Sequence, residues 1–143
     1  MMKDGIGFAL KGIKIEQFAV FENNYMPDTE TGLGTEIQFK IDKENKHIGS
    51  FLGFEFVQAD KTFIKIVVSC HFKIKEDAWS NFLSPHKDKL IVPKEFLTHL
   101  AMITTGTTRG VLFAKTDGTK FAKFIIPTID LANIILNDAF FDL

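Results

Sequence analysis

The residues of this chain whose types invite a chemical reading are four histidines, one cysteine and a few glycine pairs. His47, His71, His86 and His99 are dispersed without the spacing of a metal site, and Cys70 has no second thiol to pair with. Gly5-Ile6-Gly7 and Gly32-Leu33-Gly34 lack the third glycine of a dinucleotide loop, and Gly106-Thr107-Thr108-Arg109-Gly110 lacks the Lys-Ser/Thr ending of a phosphate loop. Cys70 falls on the apolar side of an alternating run, where a free thiol behaves as a small hydrophobe. His71 falls on the opposite side and would serve a nucleophile only if a hydroxyl or thiol and a carboxylate converged on it. Glu76-Asp77 opens a helical piece, where negative charge is favourable in its own right. No enzyme, metal or cofactor is expected from these residues.

The aromatic composition is the feature that asks for an explanation. Sixteen Phe stand beside only Trp79 and Tyr25, in a chain of 143 residues that is 45% apolar. Phe brings apolar area with no polar handle, so a second buried or contacted surface is expected beyond one small core. Lined along a groove, such side chains would hold extended polypeptide by apolar contact while strand-edge amides added hydrogen bonds. They would equally fill an ordinary core and an oligomer interface. Seventeen basic residues against eighteen acidic ones leave a net charge of −1, which excludes electrostatic capture of nucleic acid or anionic membrane as the default. The lone Cys70, the absence of an apolar leader and the absence of a run long enough to span a bilayer place the expected location in the cytoplasm.

These residues must be positioned by recognisable elements. Between Gly5 and Glu22 the apolar residues alternate but change phase: Ile13 and Ile15 are odd, Phe18 and Val20 even, so a bulge near Glu16-Gln17 is predicted. Asn23 to Gly34 reads as a loop. Ile37, Phe39 and Ile41 alternate with polar residues. His47 to Gln58 is almost wholly apolar, as a central strand would be, and Ile64 to Ile74 puts its even positions on one dry face. After Glu76 come a short helical piece near Asp77 to Phe82 and a long helix with Pro93 as its first residue. In that helix Leu97, Leu100, Ala101, Thr104, Thr108 and Val111 follow one stripe, and Phe96, Ile103 and Gly110 the next, which implies burial on two sides. Its threonines and glycines are poor helix formers, so packing must hold it. Lys120 to Ile126 reads as extended, Pro127 stops it, and Asp130 caps a short final helix with Leu131, Ile134 and Ile135. The expected fold is a single α+β domain over 1–143: a four-stranded antiparallel sheet packed by a long helix and a short C-terminal helix.

This order, with Thr108-Arg109-Gly110 in the long helix and Pro127-Thr128-Ile129-Asp130-Leu131 before the last one, resembles the SecB family of bacterial protein-export chaperones over about Phe8 to Ile135. It also looks like the shorter SecB-like proteins in which the Arg-Gly step is followed by a hairpin-like insertion, here Val111 to Lys123. The resemblance implies a cytoplasmic homotetramer that holds unfolded or precursor polypeptides in hydrophobic grooves without ATP. Groove residues would be Phe18, Phe21, Tyr25, Phe54, Phe56, Ile126, Ile129 and Leu131. Phe96, Leu100, Ile103, Thr107 and Gly110 would meet other subunits. Arg109, Gly110 and Pro127 would be structural, with Arg109 bonding carbonyls at a helix end rather than a client.

Two departures count against docking to the export motor SecA. The outward strand positions mix Lys14, Lys40, Lys65 and Lys73 with Glu16, Glu36 and Glu55, where the family is strongly acidic. The family's polar tail is replaced by Ala139-Phe140-Phe141-Asp142-Leu143. The alternative is a structural or interaction subunit, for example one dedicated to a single partner such as an antitoxin.

Overall fold

Three alternating stretches and one almost wholly apolar one become four long strands. The computed structural model describes residues 5–143. Strands β1 (Phe8–Val20), β2 (Gly32–Asp42), β3 (His47–Gln58) and β4 (Lys61–Ile74) form an antiparallel sheet in the order β1-β4-β3-β2, with β1 and β2 at its edges. Facing partners such as Thr35, Phe54 and Ile66 put their side chains on one face, so the even positions of β3 and β4 make a continuous apolar floor. The phase change in β1 is resolved as predicted, by an irregularity between Ile15 and Gln17. A second one, between Leu10 and Gly12, was not foreseen. Together they pair Phe8, Leu10, Ile13, Ile15, Phe18 and Val20 with inner-face residues of β4, keeping six apolar side chains on the helix side despite their mixed parity. The β3–β4 turn runs through Ala59 and Asp60, both at positive φ, as a two-residue hairpin of this twist requires.

Helix α1 (Glu76–Phe82), strand β5 (Lys89–Val92), helix α2 (Lys94–Thr116) and strand β6 (Ala139–Asp142) complete the chain. The α+β class holds, with α2 packed over β3 and β4. Several details differ from expectation. Pro93 lies just before α2, its carbonyl accepting from Phe96 and Leu97, both at 3.1 Å. The expected hairpin after Arg109-Gly110 is absent, because α2 continues to Thr116. Lys120 to Lys123 forms turns, and the stretch from Phe124 to Asp130 carries no regular secondary structure. The short final helix is a single 3-10 turn, Leu131–Asn133, whose Asp130 carboxylate accepts from the Asn133 side chain at 2.6 Å instead of capping the backbone. Strands β5 and β6 pair in a second, two-stranded sheet.

Threonine is a weak helix former, yet α2 buries Thr104, Thr105, Thr108 and Thr116 against the sheet. Each hydroxyl donates to the carbonyl four residues back at 2.7–2.8 Å, so no polar group is orphaned. Two apolar clusters result. One joins Ile48, Phe72 and Ile74 to Trp79, Phe82, Leu90, Val92, Phe96 and Leu100. The other joins Leu52, Phe54, Phe56, Phe63 and Ile66 to Leu112, Phe121, Ile126 and Leu131. Among the described residues no helix is long and apolar enough to cross a membrane.

Candidate functional site

Helix α2 covers β3 and β4 and leaves part of β1 open. Phe8 packs edge-on against Phe96 and His99 near one end of α2, and Phe18 lies below the Lys115 ammonium near the other. Between these anchors the inner-face residues Leu10, Ile13 and Ile15 stay exposed, Ile13 by 54%. Across from them runs one flank of α2, carrying His99, Ile103, Thr107 and Ala114 at helical spacing. The result is an exposed aliphatic strip at the side of α2, along a strand whose other edge carries no partner among the described residues.

At the Phe18 end the strip leads to a cleft of ≈ 470 Å³ lined by Phe18, Val20, Glu22, Lys115, Thr116, Thr119, Lys120 and Phe121. Its apolar floor has a cationic rim. Lys120 pairs with Glu22 at 2.7 Å and lies 5.5 Å from the ring centres of Tyr25 and Phe121. Lys123 lies 5.7 Å from Tyr25 and 5.5 Å from Phe124. A second hollow of ≈ 390 Å³ on the far flank of α2 is lined by Gly106, Arg109, Gly110, Phe113, Phe124 and Ile125.

Of the predicted groove residues, Phe18, Phe21, Tyr25 and Ile129 reach the surface, and Phe18 lines the cleft. Phe54, Phe56, Ile126 and Leu131 are buried in the second cluster, because the segment from Phe121 to Leu131 folds back over the sheet and seals them. Phe96 and Leu100 are fully buried within the one chain, which removes them from any surface that a partner could meet. Ile103, Thr107 and Gly110 remain on the flank of α2. The far side of α2 is not covered by the chain itself: Met102 and Phe113 are 58% and 57% exposed, with Gly106 and Gly110 between them. Arg109 bonds carbonyls, but those of the returning segment rather than the helix's own. Its Nε donates to Ile126 at 2.6 Å and its Nη2 to Pro127 at 2.8 Å. The composition flagged the surplus of Phe, but Val20, Lys115, Lys120 and Phe121 of the cleft were missed.

The outer face of the sheet gathers a trio that the sequence did not reveal. Ser69 Oγ donates to Glu16 Oε2 at 2.7 Å and lies 2.8 Å from His71 Nε2. The single hydroxyl proton is committed to the carboxylate, so His71 presents its Nε2–H to the serine. A nucleophilic triad needs the reverse order, with the base accepting from the hydroxyl and the carboxylate on the far ring nitrogen. Ser69 is moreover fully buried. The trio is a polar tie between β1 and β4. Among the described residues, no three His, Cys, Asp or Glu side chains gather as for a metal ion.

No family model matches the sequence, and no curated protein matches it. In shape the chain is similar to a SecB-like chaperone of Mycobacterium tuberculosis solved in complex with a ChAD peptide from the HigA1 antitoxin. That likeness has a TM-score of 0.47 and 10% identity, over 85% of this chain and 90% of the other. It is also similar to a protein of unknown function from Streptococcus agalactiae, with a TM-score of 0.33 and 17% identity, over 87% of this chain and 99% of that one. These likenesses bear on outline alone, and what the surface can do is argued from this chain's own residues.

Proposed function

We propose that this protein holds extended polypeptide, an unfolded client or a dedicated partner segment, without nucleotide and in the manner of a SecB-like chaperone. The observation that carries the reading is one row along β1. Leu10, Ile13, Ile15, Phe18 and Val20 occupy successive inner-face positions, the first three lie open, and the last two floor a ≈ 470 Å³ cleft. A contiguous apolar strip beside a strand edge with no partner among the described residues suits a chain that lays side chains on the strip and main-chain amides on the edge. The lone, buried Cys70 suits a reducing cytoplasm. The test is light scattering of a chemically denatured client diluted into buffer: a molar excess of this protein should delay aggregation, and an unchanged time course would overturn the reading.

A second reading, self-assembly, is favoured by a different surface. The outward side of α2 presents Met102, Gly106, Gly110 and Phe113, with glycines that would let another helix approach closely. On this reading the assembly is a homo-oligomer, with a tetramer expected, and the extra hydrophobe meets sister copies. Solution mass of the wild type and of Met102→Glu/Phe113→Glu tests it; a monomer in both cases removes it.

A further inference from the structure

The cleft beside Phe18 differs from a plain apolar groove in the charge around it. Two ammonium groups line it over aromatic rings, Lys115 at 6.0 Å from the Phe18 ring centre and Lys120 at 5.5 Å from Phe121, and a third, Lys123, lies outside the lining at 5.5 Å from Phe124 and 5.7 Å from Tyr25. Glu22 is the single acidic residue lining the cleft, and it is already paired with Lys120. The three lysines come from the end of α2 and the turns after it, while the aromatic floor comes from β1 and those same turns. The whole chain is close to neutral, so this concentration of one sign is local.

From this geometry we infer that the cleft is selective. It takes an apolar side chain from an extended segment whose neighbouring residues are Asp or Glu, and it disfavours segments flanked by Lys or Arg. The inference rests on the polypeptide-holding reading above and names its substrate class. An apolar side chain entering the cleft displaces water from Phe18, Val20 and Phe121, and neighbouring carboxylates meet Lys115 at its rim and Lys123 beyond its lining, neither of which makes an ion pair among the described residues. A basic flank would instead place like charges together at the rim.

The test is fluorescence anisotropy with the intact chain at low salt and short extended peptides blocked at both ends. All share a Phe-Leu-Val centre and carry flanks of Glu, Gln or Lys. The Glu-flanked peptide should bind about three- to tenfold more tightly than the Gln-flanked one, with the Lys-flanked one weakest. The spread should shrink as salt rises and screens exposed charges. In Lys115→Glu/Lys123→Glu the order should reverse, and in Lys115→Gln/Lys123→Gln it should flatten. A Gln-flanked peptide with a free C-terminal carboxylate that matches the Glu-flanked peptide would transfer the preference to chain ends and overturn the assignment to acidic side chains. Equal affinity for the three blocked peptides overturns the selectivity but leaves polypeptide binding standing. Failure of all three to bind also overturns it, and an accompanying failure to delay client aggregation would remove the broader reading as well.

Discussion

At the end of the sheet nearest β5, Phe72, Ile74 and Ile48 lie under α1, α2 and the β5–β6 pair, and Phe96 locks against both Phe8 and Phe82 at ring distances of 5.4 and 5.7 Å. At the other end Phe54, Phe56 and Phe63 lie under the second half of α2 and a single returning segment. There the aromatic packing runs outward through Phe124 and Tyr25 to a surface cleft rimmed by lysines. Both ends are rich in Phe, but only at the first do a second helix and a strand pair join α2 in closing over it. The difference teaches that aromatic count measures how much apolar surface a chain carries and says little about where it goes. One end spends it on cohesion, and the other leaves part of it within reach of a partner.

The sharpest way to break this comparison is to injure each end and ask which property fails. Phe96→Ala at the closed end should cost about 3–5 kcal/mol of stability in a denaturant melt while leaving client holding per folded molecule unchanged. Arg109→Ala should cost about 2 kcal/mol, because two carbonyls of the returning segment lose a charged donor. Arg109→Lys should recover only part of this, since an ammonium cannot reproduce the planar fork. Phe18→Ala, at the open end, should cost on the order of 1 kcal/mol, yet reduce client holding severalfold. If Phe96→Ala abolished holding and Phe18→Ala spared it, the assignment of the two ends would be wrong. Ser50→Ala should go the other way and stabilise by about 1 kcal/mol. Ser50 Oγ lies buried on the inner face with no hydrogen-bond partner, so removing it ends a desolvation cost.

The long strands were legible because their patterns are local: alternation in β1, β2 and β4, an almost unbroken apolar run in β3, and a phase slip in β1 that marked its bulge near Gln17. Strands β5 and β6 were not legible. Each is four residues long, and their pairing joins Lys89 to Asp142 across an intervening helix, a contact no sequence window holds. The candidate site was half visible for the same reason. Phe18 sits where alternation places it, but Phe54 and Phe56 were read as groove residues because their strand position cannot show that the segment from Phe121 to Leu131 comes back to cover them. Arg109 holds that segment through carbonyls 17 and 18 residues away, and carbonyls carry no residue signature. Glu16, Ser69 and His71 meet only because Glu16 falls at the bulge of β1 while β4 pairs beside it.

The smallest expected effect concerns how the closed end is fastened. Asp142 of β6 accepts a hydrogen bond from Lys89 of β5 across from it. That bond first, and the lysine charge second, holds the Asp142 carboxyl below the ordinary carboxylate range, while the same contact raises Lys89. For Asp142 the contribution to folding is therefore complete at neutral pH and is lost as pH falls through its lowered value. For Lys89 it is complete at neutral pH and is lost as pH rises through its raised value. Both groups are open to solvent, so the contact is weak and screened by salt. Amide exchange at Phe140 and Phe141 reads it directly. Asp142→Asn should quicken exchange at neutral pH and low salt, match the unmodified chain in high salt, and match it again once the pH has fallen below the lowered value of Asp142, where both chains lack the carboxylate. If exchange there ignored pH, salt and the substitution alike, the clasp would contribute nothing, and the closed end would owe its closure wholly to apolar contacts such as Leu90 with Phe141.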